Sequence, residues 1–216
     1  GKSFSTSSDI RNEQGVYLGA EWQPHRRFVL TAYADGYHFP YLRYRVSASS
    51  YGTDGVVTAR YMPNNEHNLL LRYRFRLKQR DVADGYRLPN GGLLNEWTHR
   101  LRLQWSGTLT SLLSLQTMME GCFVQAEKHA MGVMASAQGT YSPTLGQHTL
   151  RLSCGLTAFR ADYAARLYGY ERGLLYAYNY QMYYGTGLRS YLLLQYSHKE
   201  APRLTATAKL GATYYF

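Results

Sequence analysis

Three features of the sequence predict an all-β fold: a transmembrane antiparallel up-and-down β-barrel, with about eleven or twelve strands in this chain. The first is the stretch LLLRYRFRLKQR. Leu69, Leu71, Tyr73, Phe75 and Leu77 fall on one side of it, and Arg72, Arg74, Arg76, Lys78 and Arg80 on the other. Successive side chains of a strand point to opposite faces, so a strand here has one apolar face and one basic face. A helix would scatter the same residues around its circumference. The second feature is the recurrence of such alternation along the chain, in segments near the ~9–11 residues that a membrane strand needs. The third is the placing of aromatic residues. Leu, Val, Ala and Phe occupy the middle of the apolar faces, while Trp22, Tyr61, Trp97, Tyr141, Tyr184 and Tyr214 lie toward strand ends. That is the girdle pattern of a barrel in lipid. A soluble sandwich would show more continuous apolar runs and more charge on its exposed face.

The composition fits one β-barrel domain over residues 1–216. Hydrophobic residues are 45% and charged residues 18%, which excludes a generally disordered chain. Tyrosine is unusually frequent at 22, and the net charge is +10. Such a charge points to an anionic partner, or to a basic surface inside the fold. No apolar run approaches the ~20 residues of a spanning helix. The polar opening, Gly1 to Gln14, has no secretory signal and reads as a loop or frayed strand. Cys122 and Cys154 fall on opposite faces by strand phase, so two free, buried thiols are expected rather than a disulfide.

Taken in order, the first strand has Val16, Leu18, Ala20 and Trp22 on its apolar face, and Pro24-His25 turns the chain. Phe28, Leu30, Ala32 and Ala34 continue that face. A long connection covers about 37–54, after which Val57, Ala59 and Tyr61 face out, with Thr58 and Arg60 facing in. Pro63-Asn64-Asn65 turns into the basic strand. A second long connection spans about 81–94. Trp97 to Leu109 is the next strand, with Arg100 and Arg102 on its polar face. After a turn at 110–113, Met119 and Phe123 face out, and Met118, Glu120 and Cys122 face in. Val133 to Tyr141 follows, then a turn at 142–146. Leu150, Leu152, Cys154 and Leu156 then oppose Arg151, Ser153 and Thr157. Residues 163–173 read as a loop and 174–184 as a strand, turned by Gly185-Thr186-Gly187. In the next strand Tyr191, Leu193 and Gln195 face in, Leu193 being the apolar exception. In the last strand Leu204, Ala206, Ala208, Leu210, Ala212, Tyr214 and Phe216 share the outer face.

A final alternating strand that stops on an aromatic, here Phe216, resembles the assembly signal of bacterial outer-membrane barrels. The resemblance implies location in the cell outer membrane, with lipid and the barrel assembly machinery as partners. It also implies that the last strand ends on the periplasmic side. Counting back, the short turns near 24–25, 63–65, 110–113, 142–146 and 185–187 are expected there, and the long connections outside. The first strand then starts from the outside. Either Lys2 to Ile10 supplies a twelfth strand, or the chain is the C-terminal part of a larger barrel. Residues 39–48 (FPYLRYRVSA), 166–196 and the last strand are similar to outer-membrane barrels that follow periplasmic helix-hairpin-helix modules. The chain itself contains no such module.

Arg60, Arg72, Arg74, Arg76, Lys78, Arg100 and Arg102 form the candidate site, a basic wall on the polar faces of three consecutive strands. Like charges directly opposite each other destabilise a sheet unless water, carboxylates or an anion screen them. Glu21, Asp35 and Glu120 are the inward carboxylates, too few to neutralise the wall. Two readings remain: an anion-attracting wet lumen, or a lumen plugged and wired by arginine to carboxylates from parts of the protein missing from this chain. The function expected is a porin-like pore for an anionic solute, or a barrel scaffold for other subunits of a complex. No metal is expected, because the seven histidines show no ligand spacing, and no cofactor. No enzymatic activity is expected either, since Ser153, His148 and Asp162 lack a nucleophile elbow. The alternatives are a lumen-active barrel enzyme and a soluble nucleic-acid binder. The latter is disfavoured because Tyr73 and Phe75 point away from their strand's arginines.

Overall fold

The sheet grows strand by strand along the chain, because each segment alternates and each connection between neighbours in sequence brings the chain straight back. A computed structural model describes residues 13–81, 93–174, 179–198 and 204–216. The spanning strands are β1 (Gln14–His25), β2 (Phe28–Phe39), β3 (Ser50–Tyr61), β4 (His67–Arg80), β5 (Leu94–Thr110), β6 (Leu113–Gln125) and β7 (His129–Tyr141). A two-residue β8 (Thr144–Leu145) precedes β9 (His148–Ala161). Then come the short strands β10 (Leu167–Tyr170) and β11 (Tyr180–Tyr183), followed by β12 (Gly185–His198) and β13 (Leu204–Tyr215).

Ten of these form one antiparallel meander, β1-β2-β3-β4-β5-β6-β7-β9-β12-β13, with β8 paired to β9 and a separate β10-β11 hairpin. This is the expected all-β, up-and-down architecture. The sheet is open: β1 and β13 are its edges, and nearly all their residues are exposed. Pro24, which has no N–H to give to a ladder, lies in the register shift between Trp22 and His25. The suggested strand over residues 2–10 lies outside the described residues.

The period of two separates the faces as expected. Leu71, Met119 and Leu210 point outward and are 45%, 62% and 73% exposed, a cost in water that lipid removes. Outward aromatic residues gather at both ends of this band. Trp22, Tyr61, Trp105 and Tyr141 lie toward one end, and Trp97, Phe123 and Tyr214 toward the other. Several are joined by outward histidines. His67 stacks on Trp105, Trp97 on His99, and Phe123 on His129. The Tyr73 hydroxyl lies 2.8 Å from His99 Nδ1.

Three expectations are corrected. First, β2 continues to Phe39 and β3 begins at Ser50, so the connection between them is shorter than 37–54 and Asp54 belongs to a strand. Second, 174–184 is not a spanning strand, and 163–173 is not all loop. β9 pairs directly with β12, and the chain between them leaves the sheet as a 3-10 turn (Tyr163–Ala165) and the β10-β11 hairpin. Gly185, at φ +78°, is where the chain rejoins the sheet. Third, removing that one crossing reverses the ends. The register places the connections 40–49, 81–93 and 162–184 at the same end as Phe216, and the turns 26–27, 62–66, 111–112 and 142–147 at the opposite end. The terminal aromatic and the long connections therefore do not lie on opposite sides.

Leu71→Arg should impair insertion into lipid by ~2–4 kcal/mol if its site lies near the midplane. Thr207→Arg, on the inner face of β13, should be much milder. Folding titrations into lipid vesicles check this, and equal tolerance of the two changes would count against a lipid-facing exterior.

Candidate functional site

The inner face is organised by a conflict of charge. Across the β4-β5 ladder, Arg72 stands directly opposite Arg102, and Arg74 opposite Arg100. Such pairs repel. The flanking strands supply the remedy. On the β3 side, Asp54 accepts from Arg74 Nε at 2.9 Å and pairs with its Nη2 at 2.5 Å. On the β6 side, Glu120 pairs with Arg102 Nη2 at 2.5 Å and with Arg100 Nη1 at 3.5 Å. Both carboxylates are almost fully buried, at 3% and 4% exposure for Asp54 and Glu120 respectively. A buried carboxylate is tolerable only when paired and hydrogen-bonded.

Of the seven residues expected to form a basic wall, the register sets Arg72, Arg74, Arg100 and Arg102 side by side, and carboxylates answer part of their charge. Three of the seven, Arg74, Arg100 and Arg102, are held by carboxylates. Arg60 and Arg72 line an inner-face cavity of about 340 Å³ together with Arg102 and Thr58. Arg76 faces Asp54 in register, yet its buried Nε has no hydrogen-bond partner. Lys78 is exposed, near the end of β4. Asp54 was missed because the sequence places it in the connection before β3, and no local signal shows that pairing starts at Ser50.

The inner face of β6, β7 and β9 is covered by residues 162–174 and 179–184. Their approach is close: a Cβ on Gly132 would lie 2.5 Å from the Ala165 carbonyl oxygen. Ala165, Leu167 and Tyr183 join Met118, Cys122, Met134 and Phe159 in a buried apolar cluster. Polar bonds fix the same segment. Arg100 Nη2 donates to the Arg166 carbonyl at 3.1 Å, and Gln138 Nε2 to the Tyr170 carbonyl at 2.7 Å. The buried Glu171 is gripped by Arg189 of β12 and by Lys209 of β13, the latter at 3.0 Å. Tyr183 also donates to it, at 3.2 Å. Burial alone would raise the Glu171 pKa, but the bonds from Arg189 and Lys209 outweigh it and hold the carboxyl below its ordinary value. Burial beside Glu171 pushes the Tyr183 phenol up to about 12.

This geometry revises two further expectations, for Cys154 and for the lumen, while Tyr191 is buried facing in, as its strand phase predicts. Cys122 is buried but Cys154 is exposed, although both are free and on opposite faces. Ser153, His148 and Asp162 are not together: Ser153 is buried 3.0 Å from the Thr140 hydroxyl, and His148 lies 2.7 Å from the Tyr196 hydroxyl at the far end of β9 from Asp162. Finally, a porin-like lumen lined by uncompensated charge does not describe an inner face that carries its own carboxylates and its own inserted segment. No group of residues suited to hold a metal ion occurs among the described residues.

No protein-family model and no curated protein sequence matches the chain. Among solved structures the chain is similar to LpxR from Salmonella typhimurium, with a TM-score of 0.31 and 8% identity over 94% of this chain and 88% of that one. At that score and identity no residue role passes from LpxR to this chain. The expectation of no enzymatic activity is withdrawn, because the missing nucleophile elbow at Ser153 excludes only one kind of active site.

The Glu171 cluster predicts a dependence on pH. A carboxylate whose pKa is depressed by folding stabilises the fold above its ordinary value, and that stabilisation is lost as pH falls through the depressed one. Amide exchange at Gly169 and Tyr183, corrected for intrinsic rate, should be slow at pH 7 and speed up below about pH 4. Protection that is unchanged down to pH 3 would show that these bonds do not hold the segment.

Proposed function

We propose that the chain is an integral outer-membrane β-barrel that serves as a scaffold, with an interior partly filled and partly neutralised by its own residues, rather than an anion-conducting pore. The observation that carries this reading is the packing of Ala165, Leu167 and Tyr183 on the inner face, with Glu171 bound to two different strands. An open channel would leave that face to water. The apolar, aromatic-ended exterior supports placement in lipid. The stretch similar to barrels that follow helix-hairpin-helix modules, 166–196, is largely this inserted segment together with β12, and supports membership of that group. A second reading, a lumen-active outer-membrane enzyme, is favoured by the cavity that keeps Arg60, Arg72 and Arg102 accessible.

Planar bilayers test the scaffold against the pore. The protein should show no steady conductance. Steady conductance with an anion preference that Arg72→Gln, Arg74→Gln and Arg76→Gln together abolish would restore the pore.

Phe216 is proposed as the assembly signal; its N–H donates to the Thr186 carbonyl at 3.0 Å, extending the β12-β13 ladder past Tyr215. Deleting Phe216 should lower the amount of heat-modifiable protein in the outer membrane while leaving export intact. An unchanged amount would reject that role.

A further inference from the structure

A second cavity lies apart from the arginine wall, at the end of the sheet that carries the short turns. It has a volume of about 750 Å³ and is lined by Arg26, Arg27 and Arg172, with Glu66, Asn68 and Gln138 among the remaining residues. We propose that it binds a phosphorylated saccharide.

Charge is the first argument. Three guanidiniums and one carboxylate border the cavity, and none of the three has an ion-pair partner among the described residues. This contrasts with the wall, where carboxylates answer Arg74, Arg100 and Arg102. Guanidinium is always charged, and its fork of N–H donors matches phosphate oxygens.

Positioning is the second. Arg172 comes from the inserted segment, and its backbone is anchored to the sheet. Its N–H donates to the Tyr191 hydroxyl at 3.4 Å, and that hydroxyl donates to Gln138 Oε1 at 2.8 Å. Gln138 in turn donates to the Tyr170 carbonyl. Opposite, the turn holding Arg26 and Arg27 is tied to the next one, because Met62 N–H donates to the Arg27 carbonyl at 2.8 Å. The Thr108 N–H donates to the Glu66 carbonyl at 3.1 Å, adding a third turn to the rim. Cations from separate parts of the chain are thereby carried on a braced frame, so little ordering is left for a ligand to impose.

The third argument separates a saccharide from a bare anion. A sugar hydroxyl both donates and accepts, so a site for it needs acceptors as well as donors, and the Asn68 side chain, which has both, borders the cavity. Asn, Gln, Ser and Thr side chains make up much of the remaining lining, as repeated hydroxyl recognition requires.

Calorimetry on the full chain in detergent tests the site with glucose 6-phosphate, inorganic phosphate and glucose as probes. Glucose 6-phosphate should bind saturably at one site, and inorganic phosphate and glucose each at least about tenfold more weakly. Replacing Arg26, Arg27 and Arg172 together by Gln should weaken glucose 6-phosphate at least about tenfold, the loss expected from one charge-assisted hydrogen bond. Asn68→Ala should weaken glucose 6-phosphate but not phosphate, and Arg72→Gln, on the separate wall, should leave both unchanged. Far-UV circular dichroism and heat-modifiability establish that each variant is folded. No saturable binding by the wild type overturns the proposal, as does phosphate binding as tightly as the sugar phosphate. Unchanged affinity in the folded triple variant overturns it as well. None of these outcomes bears on conductance, so the scaffold reading stands or falls separately.

Discussion

Two arginine pairs set directly opposite each other across one ladder constrain much of this molecule. Arg72 against Arg102 and Arg74 against Arg100 cannot face hydrocarbon, so they decide which side of the sheet is interior. They also cannot be left alone, so the strands on either side bring Asp54 and Glu120 to them. Because side chains alternate, the same choice turns Leu71, Tyr73, Leu101 and Leu103 outward. One electrostatic requirement thereby fixes the sense of four neighbouring strands.

Glu171 applies the same logic away from the wall. Here the cations come from β12 and β13 and the carboxylate from the inserted segment. The interior is held by two carboxylate-centred groups, one under the wall and one at the far side of the sheet. Between them, Ala165, Leu167 and Tyr183 pack on β6, β7 and β9 as an ordinary core would. A barrel with this interior has given up part of its space to stability and specificity.

Alternation made most of the fold legible. The inward and outward assignment of β4, β5, β6, β9, β12 and β13 follows from period two alone, including the exceptional inward Leu193 of β12. What alternation could not show was partnership. Residues 174–184 alternate as well as any spanning strand, but β11 pairs with β10 rather than with the sheet. A strand and a hairpin arm carry the same local signal. That one ambiguity reversed the inferred ends of the molecule, since every crossing inverts the direction of the chain. The wall was legible as a set of residues, whereas its neutralisation was not. Asp54 is near its arginines only through register between strands some twenty residues apart, and Glu171 meets Lys209 across 38 residues.

The opposed arginines also bear on the order in which the sheet is built. An isolated β4-β5 hairpin would bring four guanidiniums together with neither Asp54 nor Glu120 in place. Closing that hairpin first would be uphill, despite its long register and short sequence separation. The smallest block in which these charges are answered is the four strands from β3 to β6, which places both carboxylates around the arginines. Nucleation therefore belongs to that block, or to a hairpin elsewhere in the meander, and the most basic part of the chain waits for its neighbours before it zips.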